Sequence, residues 1–405
     1  LKIMHSTLKH AYTPYDSWRS ISISLYMTLV GYGVQVAIPV ISTARVHMLG
    51  FSEVEVGWLA SADLGGLAAG AALASLFMAN ANRRVLALIG AVLAILANAL
   101  CTRYTHFEPV LYLRILAGIG SGIYTSVAVA NLGATSKPAR AYNMMLFAFA
   151  FSQALELQVL PQLSMNGIYY VFVGGFMAGL LGLRWIPVHA EDKPLDVEVD
   201  VVASSGRHHS EHRHVPAYIV WFCLAAIFLT YINIGGYWTY IELAARDAAI
   251  ADELISRLLV WGSLCSVVGC LLATLISNRF GLARPLLMAL LAMTSIVGML
   301  YEGIDTTRLI ISMLSFNLLW IFIDVYQMAF VANADHSGEF ASLIPCAQGL
   351  GQIVGPNAAA SILGNSLGYG NVFLMCALFA LLGVLTYLAV YLKLRRIIPA
   401  LADAS

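Results

Sequence analysis

Five ionisable residues sit where the surrounding sequence is apolar. Asp63, Arg114, Glu156 and Asp324 lie within long hydrophobic runs, and Arg257 lies near the end of another. A charge taken out of water must find a counter-charge, accept or lose a proton, or serve a function that offsets its cost. Arg114 can pair with Asp63 or with Glu156. The carboxylate left without it can take up and release a proton, because gaining and losing a guanidinium neighbour changes a carboxylate's proton affinity. The alternative is a static pair that fixes helix packing. For Asp324 the sequence leaves two roles open, lining a vestibule or bonding its neighbours.

The elements that hold these residues follow from composition. Of 405 residues, 60% are hydrophobic and 11% charged, with a mean hydropathy of +0.79, whereas a soluble domain carries about 25% charged residues. This is the composition of a polytopic membrane protein, with the lipid bilayer as its surroundings. The 22 basic and 22 acidic residues leave no basic surplus for nucleic acid. Cys101, Cys223, Cys265, Cys270, Cys346 and Cys376 fall in apolar runs without metal-ligand spacing and read as small buried hydrophobes. Neither a His-Glu-x-x-His motif nor a nucleophile elbow is present, so no enzyme activity, cofactor or metal is expected.

A spanning helix needs about 20 mostly apolar residues. Such runs occur at 20–43, 55–78, 84–103, 108–132, 141–162, 167–187, 217–242, 254–277, 285–302, 308–331, 340–363 and 371–393. A polar stretch containing EDKPLDVEVD and RHHSEHRH divides them six and six. The expected fold is therefore all-α, with twelve transmembrane helices in two pseudo-symmetric six-helix bundles. Its parts are a cytoplasmic N-terminal segment (1–19), a first bundle (20–187), a His-rich linker (188–215), a second bundle (216–394) and a tail (395–405). His208, His209, His212 and His214 cluster in the linker without fixed ligand geometry, and the linker reads as a polar connector. With both termini inside, inner segments hold sixteen Lys and Arg, and outer loops hold four: Arg45, Arg103, Arg246 and Arg308. The positive-inside rule then places the termini and linker in the cytoplasm, the membrane being the inner (plasma) membrane of a bacterium.

At about 1.5 Å of rise per residue, Asp63 lies about 12 Å, Arg114 about 9 to 10 Å and Glu156 about 9 Å from the outer ends of their helices. These three share one layer. Asp324 lies deeper, about 24 Å from the start of its helix. At the centre of a bilayer each charge costs at least about 2.5 to 3.5 kcal/mol on insertion scales, which favours a functional reading.

The chain also repeats itself. GAALASLFMANANRR from Gly70 and GCLLATLISNRFGLAR from Gly269 share a hydrophobic run followed by a short basic turn, 199 residues apart. SQALELQVLP and AQGLGQIVGP share Gln, Leu, Val and Pro at one register, 195 residues apart. Two six-helix halves related by a parallel repeat put a site near the midplane between them.

With these features the chain resembles the major facilitator superfamily over essentially its whole length. That family carries Gly-x-x-x-Asp-Arg-x-Gly-Arg-Arg between helices 2 and 3. Here Ser75, Ala79, Asn80 and Asn82 replace the Gly, Asp, Arg and Gly, while Arg83 and Arg84 match. A relic between helices 8 and 9 keeps Arg279 and Gly281, with Asn278 for the Asp. The helix 4 pattern of an Arg followed by close glycines is better kept, as Arg114, Gly118, Gly120 and Gly122. The helix 5 Gly-Pro pattern of the family's exporters is absent, although GQIVGP in helix 11 echoes it.

The resemblance implies a transporter whose helices 1, 4, 7 and 10 line a central cavity. Candidate substrate-binding residues are Tyr32 and Gln35 in helix 1, Arg114 and Tyr124 in helix 4, Asn233, Tyr237 and Trp238 in helix 7, and Asn317, Trp320, Asp324 and Gln327 in helix 10. Aromatic faces with a few amides suit a small organic solute, first of all an organic or aromatic carboxylate drawn to Arg114. Asp63, Arg114 and Glu156 are the candidates for proton coupling. Helices 5 and 8 face each other in the family, which makes Arg257 and Glu156 a candidate gate. The expected function is proton-coupled secondary transport by a monomer, with protons and the solute as partners. The alternative is a proton antiporter that exports drugs or metabolites.

Overall fold

The computed structural model describes residues 14–78, 81–135, 138–188, 217–276, 282–334 and 343–397. The described residues form α-helices and short 3-10 turns, without strands. The helices of the first half are α1 (Trp18–Val36), α2 (Ile38–Leu49), α3 (Glu53–Phe77), α4 (Arg83–Cys101), α5 (Phe107–Gly133), α6 (Pro138–Val159) and α7 (Met165–Leu181). Those of the second half are α8 (Ala217–Asp247), α9 (Asp252–Ile276), α10 (Ala283–Gly298), α11 (Thr306–Ala334), α12 (Ile344–Gly364) and α13 (Gly368–Ile397). Among the described residues nine helical segments are long and apolar enough to cross a bilayer, or ten with α1 and α2 counted as one span bent by 50°. The shorter α7 and the Gly- and amide-rich α12 coincide with the sixth and eleventh expected runs. Each of the twelve expected runs thus coincides with helix among the described residues, the first of them broken.

The break has a local cause. Pro39 lacks the N–H that would bond the carbonyl of Gln35, so the helix cannot continue straight through this point. The chain then turns again at Gly50, whose φ of 71° closes α2 in the left-handed region. Ser52 and Glu55 form a reciprocal capping box that starts α3. The side-chain oxygen of Asn82 accepts from the backbone N–H of Arg84 at 2.9 Å and so starts α4.

Close helix crossings depend on glycine. A Cβ on Gly118 would lie 2.5 Å from the carbonyl oxygen of Asp63 and 2.9 Å from the Cα of Gly66, so only a residue without a side chain lets α5 touch α3 here. The same packing recurs in the second half. A Cβ on Gly70 would collide with the carbonyl of Ile119, and one on Gly269 with the carbonyl of Leu318. Both members of the pair are displaced by 199 residues, so the sequence repeat is a repeat of helix contacts. Between the halves, α3 packs on α12, α6 on α9 and α2 on α8.

Candidate functional site

Gly118 sets up the first part of the site. One turn along α5, the same crossing brings the Arg114 side chain beside Asp63 of α3, with Nε to Oδ1 at 2.6 Å. Arg45 of α2 closes on the other carboxylate oxygen, Nη2 to Oδ2, at 2.8 Å. Nη1 of Arg114 also donates to Oδ1 of Asn98 at 2.7 Å, and Asn98 in turn donates to the Ala94 carbonyl at 2.8 Å. The Arg114 guanidinium stands 5.9 Å from the Tyr169 ring centroid. Arg45, Asp63, Asn98 and Arg114 are all 3% exposed or less. Two guanidiniums share one carboxylate, so the cluster keeps one net positive charge in the interior.

Two sequence expectations change here. Arg45 is not an outer-loop residue: the first span continues past its break to Leu49, and Arg45 lies inside it. Of the two partners open to Arg114, the structure gives it Asp63. Glu156 has no cation beside it among the described residues. Its Oε1 accepts from Ser152 at 3.0 Å, and its buried Oε2 makes no hydrogen bond. The carboxylate reaches the last turn of α1, where Oε2 lies 3.4 Å from the place a Cβ on Gly33 would occupy. Arg257 does not meet it. The expected gate partner bonds Glu253 at 2.5 Å with both side chains exposed, because it sits in the first turns of α9 at the surface.

Between the halves lies a narrow cleft lined by Gln35, Ile38, Leu64, Trp238, Trp320 and Gln352, among others. A second cleft shares Gln35 and Leu64 with it and reaches Asp63, Arg114 and Ser121. Trp238 and Trp320 meet edge-on with centroids 6.1 Å apart. Below them, towards the end where α1 begins and α13 finishes, the Tyr231 hydroxyl bonds Asp324, 2.8 and 2.7 Å from its two oxygens. At the opposite end the halves are tied together. The indole N–H of Trp238 donates to the Val36 carbonyl at the helix break at 3.3 Å, and Ser61 donates to the Ile353 carbonyl at 2.9 Å. Tyr240 donates to the Glu53 carbonyl at 2.7 Å, and Tyr369 to the Glu53 side chain at 2.5 Å.

The family model of the Major Facilitator Superfamily matches residues 23–356. The chain belongs to this superfamily. Solved structures agree on the fold. The nucleoside transporter NupG superposes with a TM-score of 0.70 at 12% identity, over 92% of this chain and 98% of that one. A D-xylose-proton symporter gives 0.69 at 15%, covering 91% and 97%. The human organic anion transporter MFSD10 (TETRAN) gives 0.64 at 13%, covering 91% and 99%. In sequence, no curated protein matches. Membership of the superfamily makes the chain an integral multi-pass membrane protein and a transporter rather than an enzyme.

The expected cavity residues of this superfamily member fall into two groups. Gln35, Arg114, Trp238 and Trp320 line the clefts, and Asp324 follows Trp320 by one turn and bonds Tyr231. Tyr32 is half-buried and meets Phe149 edge-on at 5.9 Å. The others are packed inside their own halves. Tyr124 is buried edge-on against Phe176 at 5.2 Å, and Tyr237 is stacked on Phe316 at 3.9 Å with its hydroxyl on Ser312. Asn317 donates to the Met313 carbonyl, Gln327 donates to Thr230, and Asn233 is fully buried. Tyr124, Tyr237, Asn317 and Gln327 face neighbouring helices of their own bundle in this conformation, the amide of Asn233 is buried without a hydrogen-bond partner, and none of the five lines the clefts.

The basic turn after α3 has a structural role. Arg83 donates to Oδ1 of Asn131 in α5 at 2.9 Å and lies over Tyr15, while Arg84 donates to the Ile186 carbonyl at 2.6 Å. The turn thereby ties the starts and ends of four helices. Arg279, Gly281 and the His-rich linker lie outside the described residues. Sequence reasoning missed Arg45, Asn98, Tyr231, Gln352 and Glu53. It also missed Glu242, which is 3% exposed and bonded by Arg246 at 3.3 Å near the end of α8.

Proposed function

We propose that the protein is a proton-coupled secondary transporter that moves a small organic solute, first of all an organic or aromatic carboxylate, by alternating access between its two bundles. The coupling reading rests on one observation. Asp63 is committed to two guanidiniums, whereas Glu156 has no cation beside it among the described residues and leaves one buried oxygen unbonded. A proton neutralises such a carboxylate in place, and the position of Glu156 against the last turn of α1 lets that change act on the broken span. Arg114 supports the carboxylate reading, because its cluster keeps a net positive charge at the edge of a cleft. The Lys and Arg count puts the termini in the cytoplasm, so the sealed end faces outward and this conformation is closed to the outside.

A reconstituted-vesicle experiment tests the reading. Purified protein is given an inward proton gradient, and uptake of labelled 3-phenylpropionate is followed together with internal pH. Accumulation above equilibrium, with matching acidification of the lumen, is expected. Uptake that ignores collapse of the proton gradient contradicts the coupling, and absence of uptake contradicts the carboxylate.

A further inference from the structure

Asp324 is the charge that the proton and carboxylate readings leave without a role. An ionised carboxylate offers about four acceptor positions; here the Tyr231 hydroxyl reaches both oxygens and the Trp320 indole stands beside them, which leaves acceptor positions open. Among the described residues, Asp324 forms no ion pair, and it is only half-buried. Its place in the fold is informative. Asp324 follows Trp320 by one turn on α11, and Tyr231 precedes Trp238 by two turns on α8. The pair therefore lies on the terminus-facing side of the two indoles, one helical turn beyond Trp320.

A carboxylate beneath two indoles, with acceptor positions left open, suits a positive nitrogen. An ammonium can donate to the free acceptor positions while its carbon-bound protons face the rings, and a cation over an aromatic face is attracted by the ring quadrupole. We propose that Asp324 and Tyr231 form a subsite for an ammonium group of the transported solute. This rests on the transport reading, since the subsite lies on the solute's path, but not on the carboxylate. Arg114 lies two turns into α5 from the sealed end and Asp324 five turns into α11 from the same end. A solute that engages both is an extended zwitterion spanning about three turns of depth.

The test uses purified full-length protein and three probes on one frame: phenethylamine, phenethyl alcohol and 3-phenylpropionate. Binding is read from thermal stabilisation across millimolar concentrations in the wild type, Asp324→Asn and Tyr231→Phe. Phenethylamine stabilises the wild type more than the alcohol does. In Asp324→Asn its apparent affinity falls by roughly tenfold or more, the scale of a lost charge-assisted hydrogen bond. Tyr231→Phe, which keeps the charge, weakens it less. Any 3-phenylpropionate binding is unchanged in both variants. An amine no better than the alcohol in the wild type overturns the subsite without recourse to any variant, as does equal amine affinity in Asp324→Asn. Amine binding through Asp324 with no response to 3-phenylpropionate upholds the subsite and removes the carboxylate instead.

Discussion

The two bundles share a scaffold and differ in where they keep charge. A shift of 199 residues carries Arg45, Asp63, Asn98 and Arg114 of the first half onto Ala244, Gly262, Val297 and Met313 of the second, and these four are buried as well. The crossings also correspond. Gly118 lies against the Asp63 backbone, and its counterpart Asn317 lies against Gly262. One half fills this crossing with two guanidiniums, a carboxylate and an amide, the other with Ala, Gly, Val and Met. In the reverse direction, Asp324 and Trp320 of the second half correspond to Thr125 and Ser121 of the first, while Tyr231 corresponds to Tyr32. Glycine suffices to form the crossing. The ionic cluster is therefore an addition to the first half that its scaffold does not require.

The largest break in this comparison should come from Asp63. Asp63→Asn leaves two buried guanidiniums without a counter-charge, and removing one partner from a buried ionic cluster costs about 3 to 5 kcal/mol. We expect a sharp loss of thermal stability in detergent. Arg114→Met, which installs the second half's residue, preserves the Arg45–Asp63 pair. It should cost less, about 1 to 3 kcal/mol for the groups left unbonded. The reverse order would mean that the net positive charge is balanced by a group outside the cluster.

A smaller effect should be equal in the two halves. Gly70→Ala and Gly269→Ala each push a methyl into a facing carbonyl and should lower stability by about 1 to 3 kcal/mol. Gly174→Ala, with nothing within 4 Å of the added carbon, should stay within about 0.5 kcal/mol. Unequal losses at Gly70 and Gly269 would show that the shared contacts are not equivalent in energy. The smallest effect belongs to Arg257→Ala. It breaks an exposed pair with Glu253 and should change stability by about 0.5 kcal/mol or less, measured in the same thermal assay.

The fold was legible because it rests on strong signals: twelve apolar runs, a repeat with fixed offset and glycines in close register. Asp63, Arg114, Glu156 and Asp324 were legible because a charge stands out against hydrophobic neighbours. Arg45 was hidden by a boundary. Ending the first run at 43 placed it in a loop, although Pro39 marks a bend after which the helix continues. Asn98 carries no charge, and in a run of Ala and Leu its amide gives no sign of its partner. Tyr124, Tyr237 and Asn317 show a different limit. In a helix that is apolar on all sides, the pattern does not say which face meets the cleft. Only the packing separates Tyr237, whose hydroxyl meets Ser312 inside its own bundle, from Trp238, which lines the cleft one residue later.

Glu156→Gln decides whether the unpaired carboxylate of the first half couples protons to transport. In vesicles, exchange of labelled for unlabelled solute at equal pH should persist, because the cleft and the Asp63 cluster are intact, while accumulation driven by a proton gradient should disappear. Full gradient-driven accumulation by Glu156→Gln would contradict the assignment.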